Sequence, residues 1–235
     1  GRPITVVGDQ RVEIASLDVA ILAVPAQIAE TLRAPLIDAG VFVIDLAGSG
    51  GDGALPLMWP SLDLSPLETH SGGIALPCGI PGTLLPLLTA LEGFSLTELD
   101  VTAMTSAQSA GRRGEEALSA QTLALLNQRL PTPGPFGGVL AFNVLPGSPE
   151  AGADGDPAVD TAIEQLSRLC PAVDAMVTSV RVVQVPVFAG LGLAVRCRFA
   201  GDPPDEASIL AAIEGVDELR LIPDAGRLAL RDTME

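Results

Sequence analysis

The feature that most limits the fold is a pair of apolar runs, LDVAILAV (residues 17–24) and VFVI (residues 41–44). Between them Ile28, Leu32, Leu36 and Ile37 recur at helical spacing. Gly40 stands where a helix needs a left-handed stop. Two strands joined through a helix pair in parallel, and strands apolar throughout are those covered on both faces. The spacing therefore predicts a β-α-β unit near the start of the chain.

The second run ends on Asp45 and is followed by Gly48, Gly50 and Gly53 in a G-x-G-x-x-G spacing. A dinucleotide loop needs those glycines to turn a strand into a helix whose first N–H groups hold a pyrophosphate. The helix is missing here, because Pro56, Pro60 and Pro66 interrupt the stretch after Gly53. Residues 46–73 read instead as an acidic loop. A short strand at 73–76 comes next, then the turn PCGIPG (77–82) and a helix carrying Leu84, Leu85, Leu87, Leu88 and Leu91, ended near Gly93.

From Leu99 the texture changes. Residues 100–106 are strand-like, 109–114 form a turn, and a helix with Leu118, Leu123, Leu125 and Leu126 stops before the Pro-rich segment 131–135. Residues 140–145 lead into an acidic, Gly-rich connector, 147–157. A helix through Val159, Ile163, Leu166 and Leu169 precedes strand-like runs at 174–183, 185–188 and 192–199. A helix over 205–214 and a final strand at 218–222 complete the reading. Strands and helices without strict alternation indicate an α+β second domain, with the boundary near residue 95 (domains 1–95 and 96–235).

Composition narrows the partners. The chain carries a net charge of −16, and all 13 of its basic residues are Arg. Nucleic acids and anionic membranes require a basic face, so neither is expected. No run approaches the length of a membrane span and no leader pattern is visible. Cys78, Cys170 and Cys197 are odd in number and widely spaced, which implies neither disulfides nor zinc and suits a reducing cytoplasm. His70 is the sole histidine and has no partner at metal-binding spacing, so no metal site is expected.

Three segments, VTAMTSAQSAGRRGEEALSAQTLALLN (101–127), GGVLAFNVLPG (137–147) and RVVQVPVFAGLGLAV (181–195), resemble the aspartate-semialdehyde dehydrogenase family. There they correspond to a strand ending in Y-Q-A-V-S-G-A-G-K, an A-F-N-V-I-P segment, and V-P-V-x-x-G-H-x-E-x-V. The resemblance implies a Rossmann-like portion, incomplete at its N-terminus, followed by an α+β semialdehyde-dehydrogenase-type dimerisation domain. It also implies a homodimer and, through residues that would precede Gly1, an NAD(P) cofactor. The family's chemistry passes through a cysteine thioester, a histidine base and cations for carboxylate and phosphate.

Matched residue by residue, most of that set is replaced. The histidine position is Leu191, the substrate-binding glutamate Leu193, the strand glutamine Thr105, and the glutamate of V-P-E-V-N Ser61. The N-S-S-x-x-R loop resembles residues 46–51, which contain no Arg. The N-P-N-C loop resembles Leu76-Pro77-Cys78-Gly79. Matching on Pro77 puts Gly79 at the nucleophile, and matching on the distance to the next strand puts Cys78 there. Arg112 and Arg113 match a phosphate-binding Lys. The expectation is a cytoplasmic dimer with a lost catalytic set that acts in binding or scaffolding. The alternative is an NAD(P)-dependent aldehyde oxidoreductase of altered specificity that uses Cys78 and another base.

Overall fold

The β-α-β unit is present. In a computed structural model of the chain, the structure describes residues 14–47, 55–69 and 72–222. Strand β1 (Val19–Leu22) leads through helix α1 (Ala26–Asp38) to strand β2 (Phe42–Asp45), and the strands pair in parallel with Val19 opposite Phe42. Gly40, at φ +81°, closes α1, and the N–H of Val41 returns to the Leu36 carbonyl at 3.0 Å. After a short helix α2 (Ser65–Thr69), strand β3 (Gly73–Ala75) pairs in parallel with β2, giving the order β1-β2-β3.

Leu22, Ala29, Leu36, Val41, Val43, Leu55 and Ala75 form the core of this sheet and helix. Among the described residues, one face of β1 is covered. Helix α1 packs over the face bearing Ala20, Leu22 and Val43, while β1 is an edge strand among those described, with Val19 and Ile21 exposed on the other face.

The chain divides into two units, Gly1–Cys78 and Gly79–Glu235. Helix α3 (Ile80–Ala90), read from sequence as part of the first domain, packs within the second unit. That unit is built on a mixed sheet of β4 (Leu96–Thr105), β5 (Leu145–Pro146), β6 (Val177–Gln184) and β7 (Leu191–Phe199), in the order β5-β6-β4-β7. The central strand β4 runs parallel to β6 and antiparallel to β7. Its alternate residues Leu99, Val101 and Ala103 are buried, as are Val180, Val182 and Gln184 beside them on β6. Helices α3 and α5 (Pro157–Leu169) pack against each other, α5 against β6 and α3 against β7. The opposite sheet face is polar, with Arg181 donating to Asp100 and Arg198 ion-paired with Glu98, both at 2.8 Å.

Local chemistry explains where the helices begin. Asp156 caps α5 by accepting the N–H of Ala158 at 3.1 Å, with Pro157 in the first turn. Asp205 caps α6 (Glu206–Glu214) through the N–H of Ser208 at 2.7 Å. Helix α4 (Gly111–Leu126) starts earlier than expected, so Arg112 and Arg113 lie in its first turn rather than in a loop. Gly114 is the cause: a Cβ there would strike the carbonyl of Ala107, and its absence lets the 3-10 turn Ala107–Ala110 close directly onto α4.

Three further expectations change. Residues 174–176 do not begin a strand, because the 3-10 turn Pro171–Ala175 occupies that end. Residues 185–188 are not a strand but a connection whose Val187 and Phe188 carbonyls accept the N–H groups of Ala107 and Gln108, both at 2.9 Å. Residues 218–222 pair with no strand among the described residues; a turn from Leu219 N–H to the Val216 carbonyl takes their place.

Candidate functional site

The carboxyl end of β4 gathers residues that the sequence singled out. Thr105, its last residue, lies opposite Leu191 on β7 and Gln184 on β6. Leu193, two residues along β7, lies opposite Ala103 and shares a face with Leu191. Both leucines are half-buried. Thr105 Oγ1 sits 3.4 Å from the Val183 carbonyl, so its hydroxyl is turned back on the sheet. Neither leucine can take up a proton or bind an ammonium group, so the surface they make with Thr105 has no acid–base function of its own.

Gln184 is the polar group that sequence reasoning missed here. It is buried, and its Nε2 donates to the Gly147 carbonyl at 3.0 Å. Its position was legible as the break in the apolar alternation Val180, Val182, Gln184. Gln121, on α4, was missed in the same way. Its Nε2 donates to the carbonyls of Thr132 (2.9 Å) and Pro133 (2.8 Å), and its Oε1 accepts the N–H groups of Leu140 (2.8 Å) and Ala141 (3.1 Å). One buried amide thus fixes both limbs of the segment that leads from α4 to β5.

Arg112 and Arg113 are exposed. Arg112 Nε donates to Glu116 at 2.7 Å, and this hydrogen bond, followed by the carboxylate's charge, pushes its pKa further up. An exposed i,i+4 pair of this kind stabilises little, and salt weakens it further.

Cys78, Asp45 and Ser61 belong to the first unit. Asp45 is buried at the end of β2; its Oδ1 accepts the N–H of Ala47 at 2.8 Å and its Oδ2 lies 3.6 Å from Arg33 Nε. The main-chain carbonyl of Asp45 accepts the N–H of Leu76 at 2.9 Å, which draws the segment leading to Cys78 alongside β2. Cys78 is exposed as a residue, yet desolvation of its thiol, followed by the charge of Asp45, pushes its pKa up. An activated cysteine requires the reverse, an environment that favours thiolate.

Gly79 caps α3 at φ +63° and ψ −126°, a conformation that side-chain-bearing residues rarely adopt. Of the two ways of matching the nucleophile, a cysteine at position 79 would carry backbone strain and one at 78 does not. Ser61 is exposed in a turn closed by the N–H groups of Leu62 and Asp63 on the Trp59 carbonyl, at 3.0 and 3.2 Å. Gly48, Gly50, Gly53 and His70 lie outside the described residues.

Cys170 and Cys197 are half-buried and free, and burial raises both thiols. Among the described residues no three His, Cys, Asp or Glu side chains form a group that could hold a metal ion, and no helix is long and apolar enough to cross a membrane.

A family model described as semialdehyde dehydrogenase, dimerisation domain, matches residues 84–234. The chain belongs to the semialdehyde dehydrogenase family. A USG-1 protein homolog of Pseudomonas aeruginosa is 30% identical over 216 residues, covering 87% of this chain and 62% of that protein. The chain thus spans about three fifths of the length of curated relatives it matches. Among solved structures, a probable aspartate-semialdehyde dehydrogenase from Pseudomonas aeruginosa superposes with a TM-score of 0.85 at 24% identity, over 95% of this chain and 67% of that one. Aspartate semialdehyde dehydrogenase II of Vibrio cholerae, complexed with ASA, gives 0.84 at 21% identity, over 94% and 67%. At these identities the likeness concerns the fold, which is Rossmann-like in the parallel sheet and of semialdehyde-dehydrogenase dimerisation type in the mixed one. The likeness first seen in three segments thus extends over nearly all of the chain.

Proposed function

We propose that this chain is a member of the semialdehyde dehydrogenase family that has lost its catalytic set and acts as a homodimer in binding or scaffolding. The observation that carries the reading is the apolar end of β4, where Leu191 faces Thr105 and Leu193 follows on the same face. General base catalysis alone contributes about 10²- to 10⁴-fold, and a leucine at the base position removes it. The raised thiol of Cys78 supports the same conclusion from the other side of the chemistry.

The turn into α1 runs Ala23-Val24-Pro25 and has no glycine; Pro25, at the helix cap, offers no N–H. Such a turn does not cradle a pyrophosphate. Arg112 and Arg113, in the first turn of α4, remain the candidate anion-binding residues.

The test is phosphate-dependent reduction of NADP and NAD, using the full-length product of the native gene. Aspartate semialdehyde and a panel of neutral aldehydes serve as substrates, and the Cys78→Ser variant as control. The expected result is no turnover from a folded dimer. Turnover that disappears in Cys78→Ser would overturn the reading in favour of an oxidoreductase of altered specificity.

A further inference from the structure

We infer that the apolar surface at the end of β4 binds a small neutral molecule with an aliphatic body and a hydroxyl or N–H group to donate. The inference rests on the reading of a binding protein without catalysis given above, and names the class of ligand that its site takes.

Sheet register builds the surface. Leu191, Thr105 and Gln184 stand side by side across β7, β4 and β6, and residues paired in this way point to one face. It is the inner face, on which Leu99, Val101, Ala103, Val180 and Val182 are buried. Toward β7 and the end of β4 the cover thins, because Thr105, Leu191 and Leu193 are only half-buried. The connection from β6 to β7 is tied to this end: Val185 donates its N–H to the Thr105 carbonyl (2.9 Å), and the Phe188 carbonyl accepts that of Gln108, leaving the Phe188 side chain exposed.

Gln184 decides the polarity. It is buried, its Nε2 donates to the Gly147 carbonyl at 3.0 Å, and the Phe136 carbonyl lies 3.5 Å from the same nitrogen. Two acceptors on that side fix which way the amide is turned, so its other half presents an acceptor. That atom, Oε1, is buried and has no hydrogen-bond partner among the described residues. Buried acceptors in folded proteins are nearly always paired, so this one calls for a donor that those residues do not supply. Thr105, paired with Gln184, carries a hydroxyl, but it is turned to the Val183 carbonyl at 3.4 Å, a long and weak bond. A ligand's donor reaches Oε1 by turning that side chain aside.

Charge sets the class. Residues 103–110, 133–148 and 182–195, which the ladders and hydrogen bonds above bring to this end, contain no Asp, Glu, Lys, Arg or His. An ammonium or carboxylate placed here would leave water without a counter-charge, which is costly. A carboxylate or aldehyde oxygen would also meet Gln184 acceptor to acceptor. What fits is an aliphatic body against Leu191 and Leu193 with one donor directed at Oε1, in keeping with small-ligand sites that are mostly apolar and carry few polar groups.

NMR of the methyl and side-chain amide groups of the 235-residue chain tests this, with isopentanol titrated alongside its methyl ether, isovalerate and isopentylamine. The alcohol is expected to move the Leu191 and Leu193 methyl signals and the Gln184 Nε2 protons, with a dissociation constant at least about 10-fold below that of the ether, as one added hydrogen bond gives. The two ions should leave these signals in place. Gln184→Leu should abolish the preference for alcohol over ether. Because that variant also gives up the bond to Gly147, Leu193→Gln serves as a second: it keeps the amide and should weaken alcohol and ether alike. Equal binding of alcohol and ether, tighter binding of either ion, or no shift at these methyls with any probe overturns the inference. None of the probes needs Cys78 or a cofactor, so that failure leaves the lost catalytic set standing, whereas turnover in the assay above refutes the lost catalytic set without altering the titration.

Discussion

Replacing Gln121 with Leu tests whether one buried amide organises the segment between α4 and β5. The side chain is 2% exposed and makes close hydrogen bonds to four backbone groups, two carbonyls and two N–H groups. Leucine matches much of its volume and offers none of them. The Thr132 carbonyl belongs to an exposed residue and that of Pro133 likewise, so water can replace the lost donors. The N–H groups of Leu140 and Ala141 are buried, and an orphaned buried donor costs about 1–3 kcal/mol. The expected loss is therefore about 2–6 kcal/mol, a large share of the roughly 5–15 kcal/mol that holds a typical domain. Urea denaturation should show it as a lowered midpoint for the second unit, and amide exchange at Leu140 and Ala141 should accelerate well beyond that of β4. A stability change under about 1 kcal/mol, with both amides still protected, would refute the reasoning.

Two other perturbations probe the structure. Asp156→Ala removes both the cap of α5 and the 2.7 Å acceptor of the Ser148 N–H, so a loss of about 1–2 kcal/mol is expected in urea denaturation, and no loss would contradict the cap's role. Burial raises the thiols of Cys170 and Cys197, so the folded chain holds those protons to higher pH than the unfolded chain does. The associated stability is fully present below the ordinary thiol value of about 8.5 and is lost as pH rises through the folded values. Cys197→Ala should flatten that alkaline decline, and an equal decline in the variant would contradict it.

Much of the fold could be read directly from the residues. The β-α-β unit was visible because its apolar spacing switches from strand to helix and back, and Gly40 marks the stop. Helices α5 and α6 announced themselves by apolar spacing, and the structure adds their Asp156 and Asp205 caps. What the residues do not display is context. The run Val185-Pro186-Val187-Phe188 has strand composition, yet two of its carbonyls are committed to Ala107 and Gln108. Residues 218–222 alternate like a strand but have no ladder to join among those described. The glycines at 111 and 114 suggested a loop, whereas Gly114 serves close packing inside a helix. At the site, the substitutions at Leu191, Leu193 and Thr105 were readable by resemblance, and the pairing of Thr105 with Leu191 and Gln184 required the sheet register. The burial of Asp45 beside Arg33, and its effect on Cys78, required the fold itself.

The reading of a retired active site is tested most directly at Cys78, by following its alkylation with iodoacetamide as a function of pH. With its thiol raised by desolvation and by Asp45, Cys78 should react at pH 7 no faster than free cysteine, and its half-maximal rate should lie above the ordinary value of about 8.5. A rate at pH 7 many times that of free cysteine, with its midpoint below the ordinary value, would mean an activated nucleophile and contradict the account.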